Sequence, residues 1–369
     1  MKLKNLFSDK PDMCLLVLSV AAAIMGIVLI NSASYSMTRH ARYIIVQSAA
    51  FAVGIAAMTF IMLFGYKNLE KIGIIIFAGS IFLLIFVLAY GKLSHGTQGW
   101  IEIGPITLQP SEIAKLCFIV TLALHLSRVR GSVNSPKTLA LLFLHLMCYS
   151  LPVLLQPDFG TATVFAVIFV FELFFAGLGK KYIFAGLGAA LLILPIGWLF
   201  LANFQKNRII SFLNPESDPT GSGYHVLQSE LAIGSGQIFG RGYMSGPQTQ
   251  FGYLPEKQTD FIFSVIGEEF GLIGTILVLI VLLTIVYRCF DNARTLEHDP
   301  FGELMCVGVG AMFFFHIAEN IGMCIGLLPI TGIPLPFISY GGSNLVTNLC
   351  AVGLVQSVVM RRRSVKFNL

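Results

Sequence analysis

The feature that most constrains this chain is a series of ten apolar runs, at residues 13–30, 43–64, 72–90, 113–126, 139–155, 161–178, 182–201, 270–287, 304–328 and 345–360. A helix that crosses a bilayer needs roughly 20 predominantly apolar residues. Hydrocarbon offers no partner to a backbone N–H or C=O, so each crossing segment has to satisfy its own, as a helix does. The runs predict an all-α polytopic membrane protein with about ten transmembrane helices, residues 1–369 forming one transmembrane domain. Composition agrees: 56% of residues are hydrophobic and 12% charged, about half the charged fraction of a soluble domain. The first run follows Lys2, Lys4 and Lys10 in the manner of a signal peptide. It exceeds the roughly 7–15 residues of a cleavable core and reads as an uncleaved first helix. The fourth run is short and polar at its start, which places it inside the bundle.

Charge placement sets the orientation. With the amino terminus inside, alternate connections on that side hold Lys67 and Lys71, then Arg128, Arg130 and Lys137, then Lys180 and Lys181, then Arg288 and Arg294. The tail adds Arg361, Arg362, Arg363 and Lys366, whereas the opposite side carries only Arg39, Arg42, Lys92, Lys206, Arg208, Arg241 and Lys257. The positive-inside rule then puts both termini in the cytoplasm of a multi-pass cell-membrane protein. The net charge of +5 therefore reports topology and anionic inner-leaflet lipid, and nucleic acid is not an expected partner. The seven Cys lie in or beside apolar runs without zinc-ligand spacing, so they read as small buried thiols.

Residues 202–260 form the one long loop, between spans seven and eight and on the outer side. Loops of that length are uncommon and often functional, and the outer loops at 91–111 and 329–344 are also rich in Gly, Pro and polar residues. Ionisable residues in or near spans are costly and mark functional or paired sites. Glu112 and Lys115 stand three apart on one helical face, as a local ion pair or a catalytic pair. Asp158 precedes a span as a helix cap. Glu172 lies within a span, and His316 and Glu319 form either a hydrogen-bonded cluster or part of a metal site. The segment from Ser339 to Asn344, with Ser343 before the last span, reads as a phosphate-cradling turn or an ordinary Gly-rich one. Gly234 to Gly236 and Gly240 to Gly242 look like a dinucleotide loop, but no strand precedes them and that reading is rejected. Asp260 sits where the long loop becomes a helix, with Arg208, Arg241 and Lys257 in the same loop. It is either a helix cap or a carboxylate placed to take a proton from a sugar hydroxyl.

Five segments share one pattern: Gly99-Trp100-Ile101, the stretch from Gln109 to Lys115, that from Gln156 to Ala162, the loop from Asp218 to Asp260, and Pro329 to Asn344. In consistent order through nearly the whole chain, they resemble the SEDS family, the RodA, FtsW and SpoVE proteins of bacterial cell-wall synthesis. Gly223 to Ser229 and the short tails look more like the RodA branch. The resemblance implies a ten-helix inverting glycosyltransferase that polymerises lipid II into peptidoglycan strands, beside a class B penicillin-binding protein and other elongation or division complex membrane proteins. It implies that Asp260 is the catalytic aspartate and that Glu112 and Lys115 are the family's intramembrane pair. One departure is Gly99, where many members carry Arg before the tryptophan. On this reading Arg208, Arg241 and Lys257 supply counter-charge to the departing pyrophosphate, alone or with a divalent cation. A lipid II flippase or a non-catalytic scaffold is the alternative.

Overall fold

The computed structural model describes residues 10–361 apart from 95–96, 104–105, 187, 189–191, 193–205, 207–209, 216–217, 219–220 and 297. The apolar runs become helices α1 (Met13–Ser34), α2 (His40–Phe64), α4 (Gly73–Tyr90), α5 (Pro110–Val129), α6 (Pro136–Leu155), α7 (Phe159–Phe175), α10 (Ile262–Arg294), α11 (Pro300–Cys324) and α12 (Gly342–Val359). Shorter helices are α3 (Tyr66–Lys71), α8 (Ser222–Gly236) and α9 (Pro247–Gln250). Seven of the described helices are long and apolar enough to cross a membrane; the protein is a multi-pass membrane protein. The seventh run, 182–201, falls largely outside the described residues, although 180–186 are helical. Residue Arg208 lies outside them too.

Helix starts follow local chemistry. Asp12, Ser135, Asp158 and Asp299 each cap a helix through the side chain, and Pro136 and Pro300 follow two of them in the first turn, where proline forfeits no helical hydrogen bond. The 91–111 connection is more ordered than its Gly and Pro content predicts. It folds into an antiparallel sheet in the order β1 (Lys92–Ser94), β2 (Thr97–Ile103), β3 (Ile106–Leu108).

Helix α11 runs through the middle of the bundle, packed against α5, α7, α10 and α12. Helix α12 lies along α2, where Gly353 lets the two backbones close: an added Cβ would stand 2.8 Å from Met58 O. Small residues allow such approach where helices cross in a membrane. At one end of the bundle, Asp12 N donates to Gln356 Oε1 and Gln356 Nε2 returns a bond to Asp12 O, both 2.8 Å long. Arg288 and Asn292 of α10 close on the Asp12 carboxylate at 2.9 and 2.8 Å.

Helix α10 is broken at Gly271, with φ 66° and ψ −162°. The backbone groups released there are taken up by the chain after α8: Leu272 N donates to Gln237 O (2.8 Å) and Ile273 N to Ile238 O (3.2 Å). In return Arg241 N and Gly242 N donate to the carbonyls of Glu268 and Glu269. Gly236 and Gly240 abut the backbones of Gly267 and Glu269 so closely that no Cβ fits. Two of the glycines with the look of a dinucleotide loop, Gly236 and Gly240, thus serve helix-to-loop packing.

Candidate functional site

The polar groups picked out in the sequence gather at the rim of the bundle where α2, α5, α7 and α12 begin. Glu112 and Lys115, on the first turns of α5, form an ion pair of 2.8 Å with only 3% and 2% of each residue exposed. Lys115 Nζ also lies 3.2 Å from His316 Nε2, and Asn344 Nδ2 donates to the other Glu112 oxygen at 3.3 Å. Asp158 caps α7, accepting from Thr161 N at 3.0 Å and Thr161 Oγ1 at 2.8 Å, with Gln109 Nε2 at 3.4 Å. Burial pushes its carboxyl above the ordinary range, against the pull of the Thr161 bonds and of Lys115. Gln109, Glu112, Lys115, Asp158, His316 and Gly332 are among the residues lining a cavity of about 40 Å³, room for about three waters. One turn below Lys115, Phe118 and Phe165 meet ring to edge at 5.2 Å, both fully buried.

Asp260 stands beside Gly332, one of the residues lining this cavity. A Cβ on Gly332 would lie 3.4 Å from Asp260 Oδ2, and Gly332 holds φ +79°, a conformation that favours glycine. Asp260 is not the cap of α10: the cap position is Phe261, with no side-chain cap bond. Its half-buried turn is held from three directions. Asp260 N donates to Glu256 O at 3.1 Å, and Asn320 Nδ2 donates to Asp260 O at 2.8 Å and to Ile333 O at 2.9 Å. Two residues before it, Gln258 O accepts from Tyr340 N at 2.8 Å. Gln47 of α2 holds the same loop, donating to Ser339 O and accepting from Gly341 N. Nearby Glu319 accepts from Thr331 Oγ1 at 2.8 Å.

Two of the loop cations, Lys257 and Arg241, lie among the described residues and sit in different settings. Lys257 is 2% exposed; its ammonium donates to Thr249 O and, at 2.9 Å, to Ser36 Oγ. Burial pushes its pKa down, opposed by the Glu268 and Glu269 carboxylates. It braces the loop through these two bonds. Glu268 completes the brace through Gln248 N and Thr249 N at 2.7 and 2.9 Å. Arg241 is exposed. Ser343 Oγ donates to Thr107 O at 3.2 Å and accepts from Gln109 N at 3.3 Å, pinning β3 and the start of α5 to α12. A side chain at Gly99 would point toward Gln156 Oε1, 3.5 Å away. His316 and Glu319 take separate partners, and among the described residues no three His, Cys, Asp or Glu side chains converge as metal ligands. No step below runs through a divalent cation. Glu172 is fully buried with neither oxygen hydrogen-bonded among the described residues.

No role for Gln47 or Asn320, the two amides that tie the loops together, was legible in the sequence. The available signal was a lone amide in or beside an apolar run.

Residues 12–364 match the cell cycle protein family FTSW_RODA_SPOVE. The chain belongs to this family. It is 38% identical over 287 residues to the peptidoglycan glycosyltransferase MrdB of Escherichia coli K12, covering 77% of this chain and 76% of that protein. It is 31% identical to the peptidoglycan glycosyltransferase RodA of Treponema pallidum, covering 95% of this chain and 98% of the relative. A solved structure described as the structural coordination of polymerization and crosslinking by a peptidoglycan synthase complex superposes with a TM-score of 0.81 at 28% identity, over 95% of this chain and 97% of its own.

Proposed function

We propose that this protein is a peptidoglycan glycosyltransferase of the RodA branch, an inverting enzyme that polymerises lipid II at the outer face of the cell membrane. Both termini face the cytoplasm, residues 1–369 work as one transmembrane unit, and the 202–260 loop carries the chemistry. The observation that carries the reading is the Asp260 turn, fixed at the rim by bonds to the 329–344 connection and to α11, in a chain of this family.

In the reaction an acceptor sugar hydroxyl attacks the anomeric carbon of the lipid-pyrophosphate-linked donor. The C–O bond to pyrophosphate breaks as the new glycosidic bond forms. Asp260 takes the hydroxyl proton, and geometry and proton affinity are what a general base needs. Pyrophosphate leaves with its electron pair and needs no acid. Arg208 and Arg241 are the candidates for counter-charge on it, with Lys257 and Ser343 holding the loops in shape instead. Glu112 and Lys115 neutralise each other beneath the cavity. The resemblance to a synthase complex supports a class B penicillin-binding protein as partner.

Incubating the purified protein with lipid II in detergent, where transport has no meaning, tests this. Wild type makes glycan chains and Asp260→Asn makes none while still binding lipid II. Turnover by Asp260→Asn rules out the base assignment, and no polymer from wild type rules out the enzyme.

A further inference from the structure

The amide of Asn320 is fully buried on α11 and makes two bonds from one nitrogen, to the carbonyls of Asp260 and Ile333 at 2.8 and 2.9 Å. An amide nitrogen has two hydrogens to give, and both are spent here. Its oxygen has no partner among the described residues. The side chain therefore carries a buried, unsatisfied acceptor, a cost that only its two donor bonds offset. Those bonds join the two segments that flank the Asp260 carboxylate, which sits against Gly332, one residue before Ile333. Cys324 Sγ, a weak thiol donor, also reaches Asp260 O at 3.7 Å.

We propose that Asn320 is a positioning residue for the polymerase reaction, setting the height and direction of the Asp260 carboxylate by fastening the 256–260 turn to the 331–334 loop. This rests on Asp260 acting as the base. Helix α11 supplies the reference frame: His316 reaches Lys115, Glu319 holds Thr331, and Asn320 holds Asp260 and Ile333. One rigid helix thereby spaces the buried ion pair and the reacting group. Misplacing a reacting group by about 1 Å costs on the order of 100-fold in rate.

The experiment is steady-state polymerisation of lipid II by the full chain in detergent, comparing wild type with Asn320→Leu, which keeps the branching at Cγ and removes both donors, and with Asn320→Ser, which keeps one short donor. Expected are a kcat about 10 to 100-fold lower for Asn320→Leu, a KM for lipid II within about threefold, and an intermediate kcat for Asn320→Ser. A merely structural residue would lower active protein and leave the kcat of the folded fraction alone, so kcat is taken per molecule of monodisperse protein. Wild-type kcat in Asn320→Leu overturns the proposal. If Asn320→Leu does not fold, Asn320→Ser decides it: wild-type kcat overturns the proposal, and a lowered kcat at unchanged KM supports it. Asp260→Asn run beside them separates the two ideas. An inactive Asp260→Asn with a fully active Asn320→Leu removes only the positioning role, whereas an active Asp260→Asn removes the base on which it rests.

Discussion

Gly271→Ala tests whether the break in α10 is as specific as its geometry. At φ 66° and ψ −162° the backbone is in a region essentially reserved for glycine, and an alanine held there costs on the order of 1–3 kcal/mol. Its Cβ would also stand 2.5 Å from Ile238 O, too close to any atom, so the 237–240 segment has to move. That movement sacrifices the bonds from Leu272 N to Gln237 O and from Ile273 N to Ile238 O, about 1 kcal/mol each. The sum is roughly 3–5 kcal/mol, a large share of a typical stability of about 5–15 kcal/mol. Scanning fluorimetry in detergent should show a melting temperature lower by roughly 5–10 °C, at about 2 °C per kcal/mol for a large domain. Gly234→Ala is the matched control, since its Cβ meets nothing within 4 Å and helical alanine gains up to about 1 kcal/mol over glycine. Wild-type melting in Gly271→Ala would refute the reasoning, as would an equal fall in Gly234→Ala.

Two further substitutions probe the buried charges. Glu112→Ala leaves Lys115 buried without its carboxylate and should destabilise by about 3–5 kcal/mol. The double variant with Lys115→Met should recover most of that in the same thermal scan, and a double variant as unstable as the single one contradicts the pairing. Asp158→Asn keeps a capping oxygen for Thr161 but removes a carboxylate whose pKa burial has raised above 3.8. A raised carboxyl pKa contributes stability that is fully present below 3.8 and lost as pH rises through the folded value. Asp158→Asn should therefore melt at or above wild type near neutral pH, and the difference should shrink toward about pH 4. A variant less stable at neutral pH would mean that Lys115 depends on that charge.

The spans were legible because hydropathy over about 20 residues is a property of composition, insensitive to what each helix touches. The eighth run shows the limit. Its start at residue 270 marks where α10 resumes after the break, while the helix itself begins at Ile262. Nothing in Gly267-Glu268-Glu269-Phe270-Gly271 indicates that a distant Gly-rich segment will satisfy the broken ladder. The Glu112 and Lys115 pair was legible from its spacing on one helical turn. Lys257 was not, because its anchors are a backbone carbonyl and a serine from α1's end. Asp260 could not be separated from a cap by position alone, and only the coordinates assign the cap to Phe261. The strands at 92–108 are too short to alternate clearly, so they read as loop.

The ring of bonds joining Asp12 to Gln356, Arg288 and Asn292 bears on biogenesis. Asp12 and Gln356 lie 344 residues apart, so the start of α1 meets these partners only after α10 and α12 have been made. Until then the Asp12 carboxylate has the Leu15 N–H of its own helix and none of the distant donors. Closure of that circle accordingly follows the insertion of α12, and a chain interrupted before Gln356 would display an incomplete end to the cell's proteolytic surveillance.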